Sequence, residues 1–341
     1  MFFVLSGFLL GERLDSEFRQ TGTVDRMAFL AKRARRIWPL YFFAVFVIAY
    51  LLPAPYAMFP DEARGWVHSH IGLYAGFQSN WALGFGGIGD YVNRFGPPLD
   101  TLWTIAVEQH FYVALALLFP IVAGSKRPAL WIGAMLLSGI VARAAWVAIP
   151  VLRPIDLNLY VASTSYIDVF TVGVLAGVLY ARNAAGVASA LSRWWTGPAL
   201  LALTVIVHHA IAAPSFGHSR PAIILLYGVF AACCSAFMLW LLARPDGWFA
   251  RALSSWLPVK LGALSYGLYV WHMPVEAAFR HWMQPFGDTA SIVSLPLVIA
   301  VTAIVSSVTY KLIERPMQRT TRPRLRDVLR PAAAADRRAK G

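Results

Sequence analysis

The stretch at 102–120, LWTIAVEQHFYVALALLFP, constrains this chain more than any other. It is apolar and long enough to cross a bilayer, yet it carries a carboxylate, Glu108, roughly a third of the way in. A charge at mid-membrane costs at least about 2.5–3.5 kcal/mol, so such residues are normally kept for a purpose and face an interior cavity. The structural alternative places Glu108 at a helix end, against headgroups or water. The functional reading is preferred because Trp103, His110 and Tyr112 crowd polar-capable groups around the same segment. On a helix Glu108 and Tyr112 share a face, whereas His110 points elsewhere.

The rest of the chain agrees with a membrane setting. Of 341 residues 58% are hydrophobic and only 14% charged, and the mean hydropathy is +0.57. Those values exclude an ordinary soluble domain and describe an all-α integral membrane protein, a polytopic helical bundle whose apolar surface faces lipid. The net charge of +13 would suggest nucleic acid in a soluble protein. Here the basic residues sit in loops and in the tail, where the positive-inside rule accounts for them, and no nucleic-acid partner is expected. Cys233 and Cys234 are adjacent in an apolar run. Neighbours on one helix point apart, and no metal-ligand spacing exists, so they read as small packing residues and no metal site is expected.

Taken in order, 1–11 is an apolar run of about half the roughly 20 residues that a spanning helix needs. Its Ser6 and Gly7 would let another helix approach closely. Residues 12–36 are polar and end in the basic cluster KRARR at 32–36. Span 37–52 follows, with Trp38 and Tyr41 at its mouth, and Pro53, Pro55 and Pro60 break it. Residues 66–85 are apolar on average but hold His68, His70, Gln78, Ser79 and Asn80, and a Gly-, Asp- and Asn-rich loop runs over 86–100. After the Glu108 segment, further spans are expected at 129–149, 165–180, 196–213, 222–243, 261–283 and 291–313. The tail from Glu314 is arginine-rich and expected to be poorly ordered, with a membrane domain at 1–316 and a basic cytoplasmic tail at 317–341.

Charge sets the topology. The basic segments 32–36, 126–127, 182–193, 244–260 and the tail fall on one side only if 66–85 does not complete a crossing. That segment is therefore expected to dip in and return, or to lie along the outer interface, with a full span that violates the rule as the alternative. The count is about nine spans, the first incomplete, with the tail cytoplasmic. Glu108, Arg143, Asp168, Glu276, Arg280 and His281 then collect towards the outer side, as expected for an outward-open polar vestibule. Arg143 and Asp168 are expected to form a structural ion pair. No internal repeat is evident, which argues weakly against the repeat-built transporters.

Five segments together resemble the acyltransferase 3 family of integral-membrane O-acyltransferases. They are FFVLSGFLL at 2–10, KRARRIWPLY at 32–41, LWTIAVEQHFY at 102–112, LSYGLYVWHMPV at 264–275 and YKLIERP at 310–316. They span nearly the whole chain in the family's order. The resemblance implies transfer of an acyl group, often acetyl, from cytoplasmic acyl-CoA to hydroxyls of sugars or other acceptors, with no cofactor beyond that donor. It also implies a bacterial inner-membrane location and a carbohydrate or glycan acceptor. Arg33 and Arg36 match the family's paired arginines at the donor side, and guanidinium groups suit the phosphates of CoA. Glu108 matches its functionally important glutamate, and Ser6, Gly7 and Phe8 its Ser-Gly-Phe element. His272 matches the histidine of its late motif, where packing and hydrogen bonding are equally open. Ser6, Trp103, Tyr112 and His272 make up the expected substrate pocket.

The chain departs from the family at one point. The family's first helix carries an arginine and a histidine ahead of FFVLSGF, and that histidine holds the base role. Neither precedes Phe2 here. The expectation is that about 20 residues plus flanks are missing, that their restoration gives ten spans, and that this chain alone is inactive or nearly so. Two other readings stay open: a transporter or flippase of a glycan or lipid-linked precursor, which would use the same polar cavity without consuming acyl-CoA, and a non-catalytic remnant.

Overall fold

A computed structural model describes residues 1–51, 65, 68–85, 99–148, 159–191, 193–212, 220–283 and 294–319. Pro53, Pro55, Pro60, the loop at 86–98, His218 and the tail from 320 lie outside the described residues, as do the side chains of Arg280 and His281. The described residues form helices and no strand. They are α1 (Phe2–Thr21), α2 (Arg26–Phe46), α3 (Ile71–Ala75), α4 (Ser79–Phe85), α5 (Trp103–Ala123), α6 (Pro128–Ala148), α7 (Ile167–Ala190), α8 (Thr196–Ala212), α9 (Arg220–Leu242), α10 (Trp248–Leu253), α11 (Trp256–Met283), α12 (Leu295–Thr309) and α13 (Arg315–Arg319). Among the described residues five segments are long and apolar enough to cross a membrane: Trp103–Ala123, Pro128–Ala148, Ser163–Ala190, Ile224–Leu242 and Leu295–Gln318. Their outer faces carry exposed Leu117, Leu137, Val141, Leu179, Ile299 and Ile304, a surface made for hydrocarbon rather than water. The chain is a multi-pass membrane protein.

One boundary differs from the sequence expectation. The first apolar run does not stop at Gly11. α1 continues through the polar residues to Thr21 and ends on Gly22, whose positive φ of 73° gives the left-handed C-cap that glycine adopts without strain. Residues 12–36 are therefore the end of one helix and the start of the next, joined by a short turn. Residues 66–85, expected not to complete a crossing, make no helix of crossing length among the described residues. α3 and α4 are five and seven residues long, and Phe77 between them has φ 55°. A bulky residue in that region marks a backbone fixed by its surroundings.

The chain divides into two units, 1–26 with 69–263 and 27–68 with 264–341. In the first, α7 is the central post, packed by α1, α6 and α9. Its seam with α1 is built from small residues. Gly7 and Gly11 of α1 meet Gly173 and Gly177 of α7. A Cβ on Gly7 would lie 2.7 Å from the Phe170 carbonyl oxygen, and one on Gly177 would overlap the Phe8 carbonyl oxygen. Two four-residue glycine repeats thus bring the backbones into direct contact, the way apolar helices associate where lipid supplies no hydrophobic drive. The close approach expected at Gly7 is present. Cys233 and Cys234 are buried and unpaired, as their adjacency requires.

α7 also carries the buried charge of this unit. Asp168 takes Nη1 and Nη2 of Arg143 at 2.6 Å each. The same guanidinium donates to the carbonyls of Ser165 and Ile224, so Arg143 is wholly buried with its donors engaged. The expected ion pair exists and ties α6, α7 and α9 together. Removing one partner of a buried pair costs about 3–5 kcal/mol because the other charge is orphaned. Arg143→Met is expected to lower the melting temperature in detergent sharply. Arg143→Met with Asp168→Asn should recover much of that loss.

The basic turns of the first unit gather at one end of its helices. Arg19 on α1 bonds the Ala181 carbonyl of α7, Phe18 lies 3.8 Å from where a Cβ on Gly124 would sit, and Arg182 reaches back to Asp15. Gln78 and Asn80 sit at the opposite end, bonded to His110 and Ser163. In the second unit the Tyr266 hydroxyl of α11 donates to the Ile37 carbonyl of α2 at 2.7 Å, and Phe43 meets Trp271 edge to face. Each of two helices there ends in a π turn, Val47–Leu51 and Tyr310–Glu314.

Candidate active site

The site is assembled on α1 and α5. Glu108 lies in the first two turns of α5 and is buried, at 3% exposure. α1 crosses it so that the Ser6 hydroxyl donates to Glu108 Oε1. Tyr112, one turn further along α5, places its hydroxyl 3.3 Å from Ser6 Oγ. The direction of the chain of bonds follows from proton counting. Ser6 spends its single hydrogen on Glu108, so in its contact with Ser6 the Tyr112 hydroxyl is the donor. Tyr112, Ser6 and Glu108 form a directed relay from two helices that are 102 residues apart in sequence. The i, i+4 spacing expected to bring Glu108 and Tyr112 to one face does so.

Above this relay lies an aromatic wall. Trp103 is buried against Phe3, Tyr160 and Tyr166, with ring centroids 6.3, 4.8 and 6.0 Å away. Tyr166 donates its hydroxyl to the Tyr160 carbonyl at 2.7 Å, which fixes the wall's far side.

His110 faces away from Glu108, as helix geometry requires. Its Nδ1 is hydrogen-bonded to the Ser163 hydroxyl at 2.7 Å and its Nε2 to the Gln78 amide at 3.2 Å. Asn80 donates to the same Ser163 hydroxyl at 3.1 Å and to the Val161 carbonyl at 3.2 Å. This network pins α4 and the α3–α4 break against α5 and the start of α7. Sequence reasoning did not single it out, since Ser163 and Asn80 are 83 residues apart and carry no joint motif.

The remaining expected site residues belong to the second unit. Arg33 is half-buried and Arg36 exposed, both on α2 within the basic cluster. His272 on α11 donates from Nδ1 to the Tyr269 carbonyl of its own helix at 2.7 Å, so Nε2 is the nitrogen left to accept. The sequence reading also passed over Glu314, buried to 3% exposure at the end of the second π turn. Gly267 leaves room beside it: a Cβ there would lie 3.3 Å from Glu314 Oε1. Among the described residues no group of three or more His, Cys, Asp or Glu could hold a metal ion.

The profile of a family described as an acyltransferase domain matches residues 1–311, almost the whole chain. The chain belongs to the acyltransferase 3 family. Two relatives show how far the match extends. The O-acetyltransferase OatA of Staphylococcus aureus (strain NCTC 8325 / PS 47) is 22% identical over 324 residues, covering 93% of this chain and 52% of the relative. The peptidoglycan O-acetyltransferase OatA of Listeria monocytogenes is 24% identical over 328 residues, covering 94% of this chain and 50% of the relative. The acyltransferase 3 chain described here thus spans about half the length of the curated relatives it matches. No solved structure matches it significantly.

Proposed function

We propose that this chain is a membrane O-acyltransferase that moves an acyl group, acetyl first, from acyl-CoA to a hydroxyl of a cell-surface glycan. The observation that carries the reading is the Tyr112–Ser6–Glu108 relay, built from the two family segments that hold its Ser-Gly-Phe element and its glutamate. Transfer to a hydroxyl needs a group that receives or orients the leaving proton and donors that stabilise the tetrahedral oxyanion. Glu108, buried and already fixed by Ser6, orients the acceptor hydroxyl or the base that deprotonates it. Arg33 and Arg36 hold the phosphates of the donor from the cytoplasmic side, a role their guanidinium chemistry and the positive-inside rule support. The relatives named as peptidoglycan O-acetyltransferases favour a cell-wall sugar as the acceptor.

The reading makes Ser6 a positioning residue. Ser6→Ala removes one hydrogen bond from Glu108 and one from Tyr112, at a cost of roughly 1–3 kcal/mol. If that cost falls on the transition state, transfer drops about 10- to 100-fold. The test is mass spectrometry of surface glycans from cells carrying the full reading frame, its Ser6→Ala and Ser6→Thr forms, or none. Ester-linked acyl groups should appear only with the reading frame, fall with Ser6→Ala and return in part with Ser6→Thr, which keeps the hydroxyl. Identical glycans with and without the reading frame would overturn the reading.

A further inference from the structure

The first unit contains a long cavity that the relay does not use. Its volume is about 440 Å³, and it runs between α5, α6 and α7. Along α7 its wall extends from Ile167 to Arg182, a length of roughly 22 Å at 1.5 Å per residue. Phe111, Leu115, Val122, Ile132, Val174 and Leu175 are typical of the lining. Two hydroxyls face it, and both are satisfied within their own helices. Thr171 donates to the Ile167 carbonyl at 2.7 Å and Ser138 to the Met135 carbonyl at 2.8 Å. A ligand's carbonyl or phosphate oxygens would therefore find no donor along the wall, and each unpaired group would cost several kcal/mol. The wall selects a plain hydrocarbon.

One end of the cavity is different. Asp15, fully buried, receives two guanidiniums: Arg182 at 2.5 Å and Arg19 at 2.9 Å. Two cations share one anion, and both arginine side chains remain about half exposed, at 53% and 47%. Lys126 and Arg127 are exposed in the turn next to Pro128, which lines the same end. The cavity is thus an apolar slot with a surplus of positive charge at its mouth, and Leu118 and Ser138 on its wall are exposed, so it opens sideways.

We infer that this slot holds one acyl chain of an anionic membrane phospholipid, with the lipid phosphate seated at Arg19 and Arg182. Charge complementarity chooses the occupant. Basic groups at a bilayer surface attract anionic headgroups by about 1 kcal/mol each, and guanidinium binds phosphate oxygens in pairs. The polar arm of acyl-CoA, rich in carbonyl and phosphate oxygens, does not suit a wall without free donors.

The experiment is native mass spectrometry of the purified chain after exchange into bilayers of phosphatidylglycerol or phosphatidylcholine, with neither acyl donor nor glycan present. The wild type should retain phosphatidylglycerol on the order of five- to tenfold more than phosphatidylcholine. Ala114→Trp, which fills the slot, should reduce retention of both lipids several-fold. Asp15→Asn with Arg19→Gln and Arg182→Gln removes both guanidiniums without orphaning the carboxylate, and should make the two lipids equal while retention persists. Equal retention of the two lipids by the wild type would overturn the inference, as would undiminished retention by a folded Ala114→Trp protein. Displacement of the bound lipid by acyl-CoA would also overturn it and assign the slot to the donor. Because no acyl transfer is measured, failure here leaves the proposed activity standing.

Discussion

Glu108→Gln is expected to abolish acyl transfer while leaving the helical bundle folded. Glutamine has nearly the shape of glutamate and keeps a carbonyl oxygen for the Ser6 hydroxyl, so the relay from Tyr112 still has an end. What disappears is the negative charge. A neutral amide can neither accept the acceptor hydroxyl's proton nor stabilise a neighbouring base once it becomes positive. General acid–base groups contribute about 10²–10⁴ in rate, and the expected loss lies in that range. Membranes carrying the variant should show the wild-type melting temperature and helicity alongside transfer at least about a hundredfold lower. Retained activity would remove Glu108 from the chemistry and reduce the relay to a packing device.

The second large effect falls on the α1–α7 seam. Gly177→Leu is expected to prevent the first unit from closing. At this position even a Cβ overlaps the Phe8 carbonyl oxygen and approaches the Glu12 amide nitrogen to 2.8 Å, and both are backbone atoms that cannot swing aside. Overpacking a core with flexible neighbours costs about 1–3 kcal/mol, and rigid backbone on both sides puts this substitution at or beyond the upper end. The same shift would carry Ser6 away from Glu108, because Gly7 is its neighbour and meets Phe170. Thermal unfolding and size-exclusion profiles in detergent should show aggregation or a much lower melting temperature. Gly133→Ala, whose added Cβ meets nothing within 4 Å, serves as the tolerated control.

What the sequence carried was whatever a single segment can display. A carboxylate inside an apolar run marks itself, so Glu108 stood out, and the helical period placed Tyr112 beside it. The Arg143–Asp168 pair was legible because both charges sit near the same end of adjacent spans. The α1–α7 seam was half legible: Gly7 drew notice, but the matching spacings Gly7–Gly11 and Gly173–Gly177 needed to be read against one another. Asp15 was not legible. Its partner Arg182 is 167 residues away, and nothing local distinguishes an acid that holds two arginines from one on a solvated turn. The extension of α1 to Thr21 was missed for a related reason. Hydropathy falls at Gly11, but the backbone continues because Asp15 and Arg19 find partners on α7. His110 was rightly set apart from Glu108, yet its bond to Ser163 depends on how α3 and α4 fold back, which periodicity does not encode.

The central claim is that a buried carboxylate relay and a basic donor-binding pair serve one reaction, the esterification of a glycan hydroxyl by a CoA thioester. The most direct test supplies isotope-labelled acetyl-CoA to sealed inside-out membrane vesicles made from cells expressing the full reading frame. The glycan is then recovered and its ester-bound label counted. The account predicts label on glycan hydroxyls, lost with Arg33→Ala plus Arg36→Ala as well as with Glu108→Gln. Glycan crossing the membrane unlabelled, or label that is indifferent to all three substitutions, would contradict it.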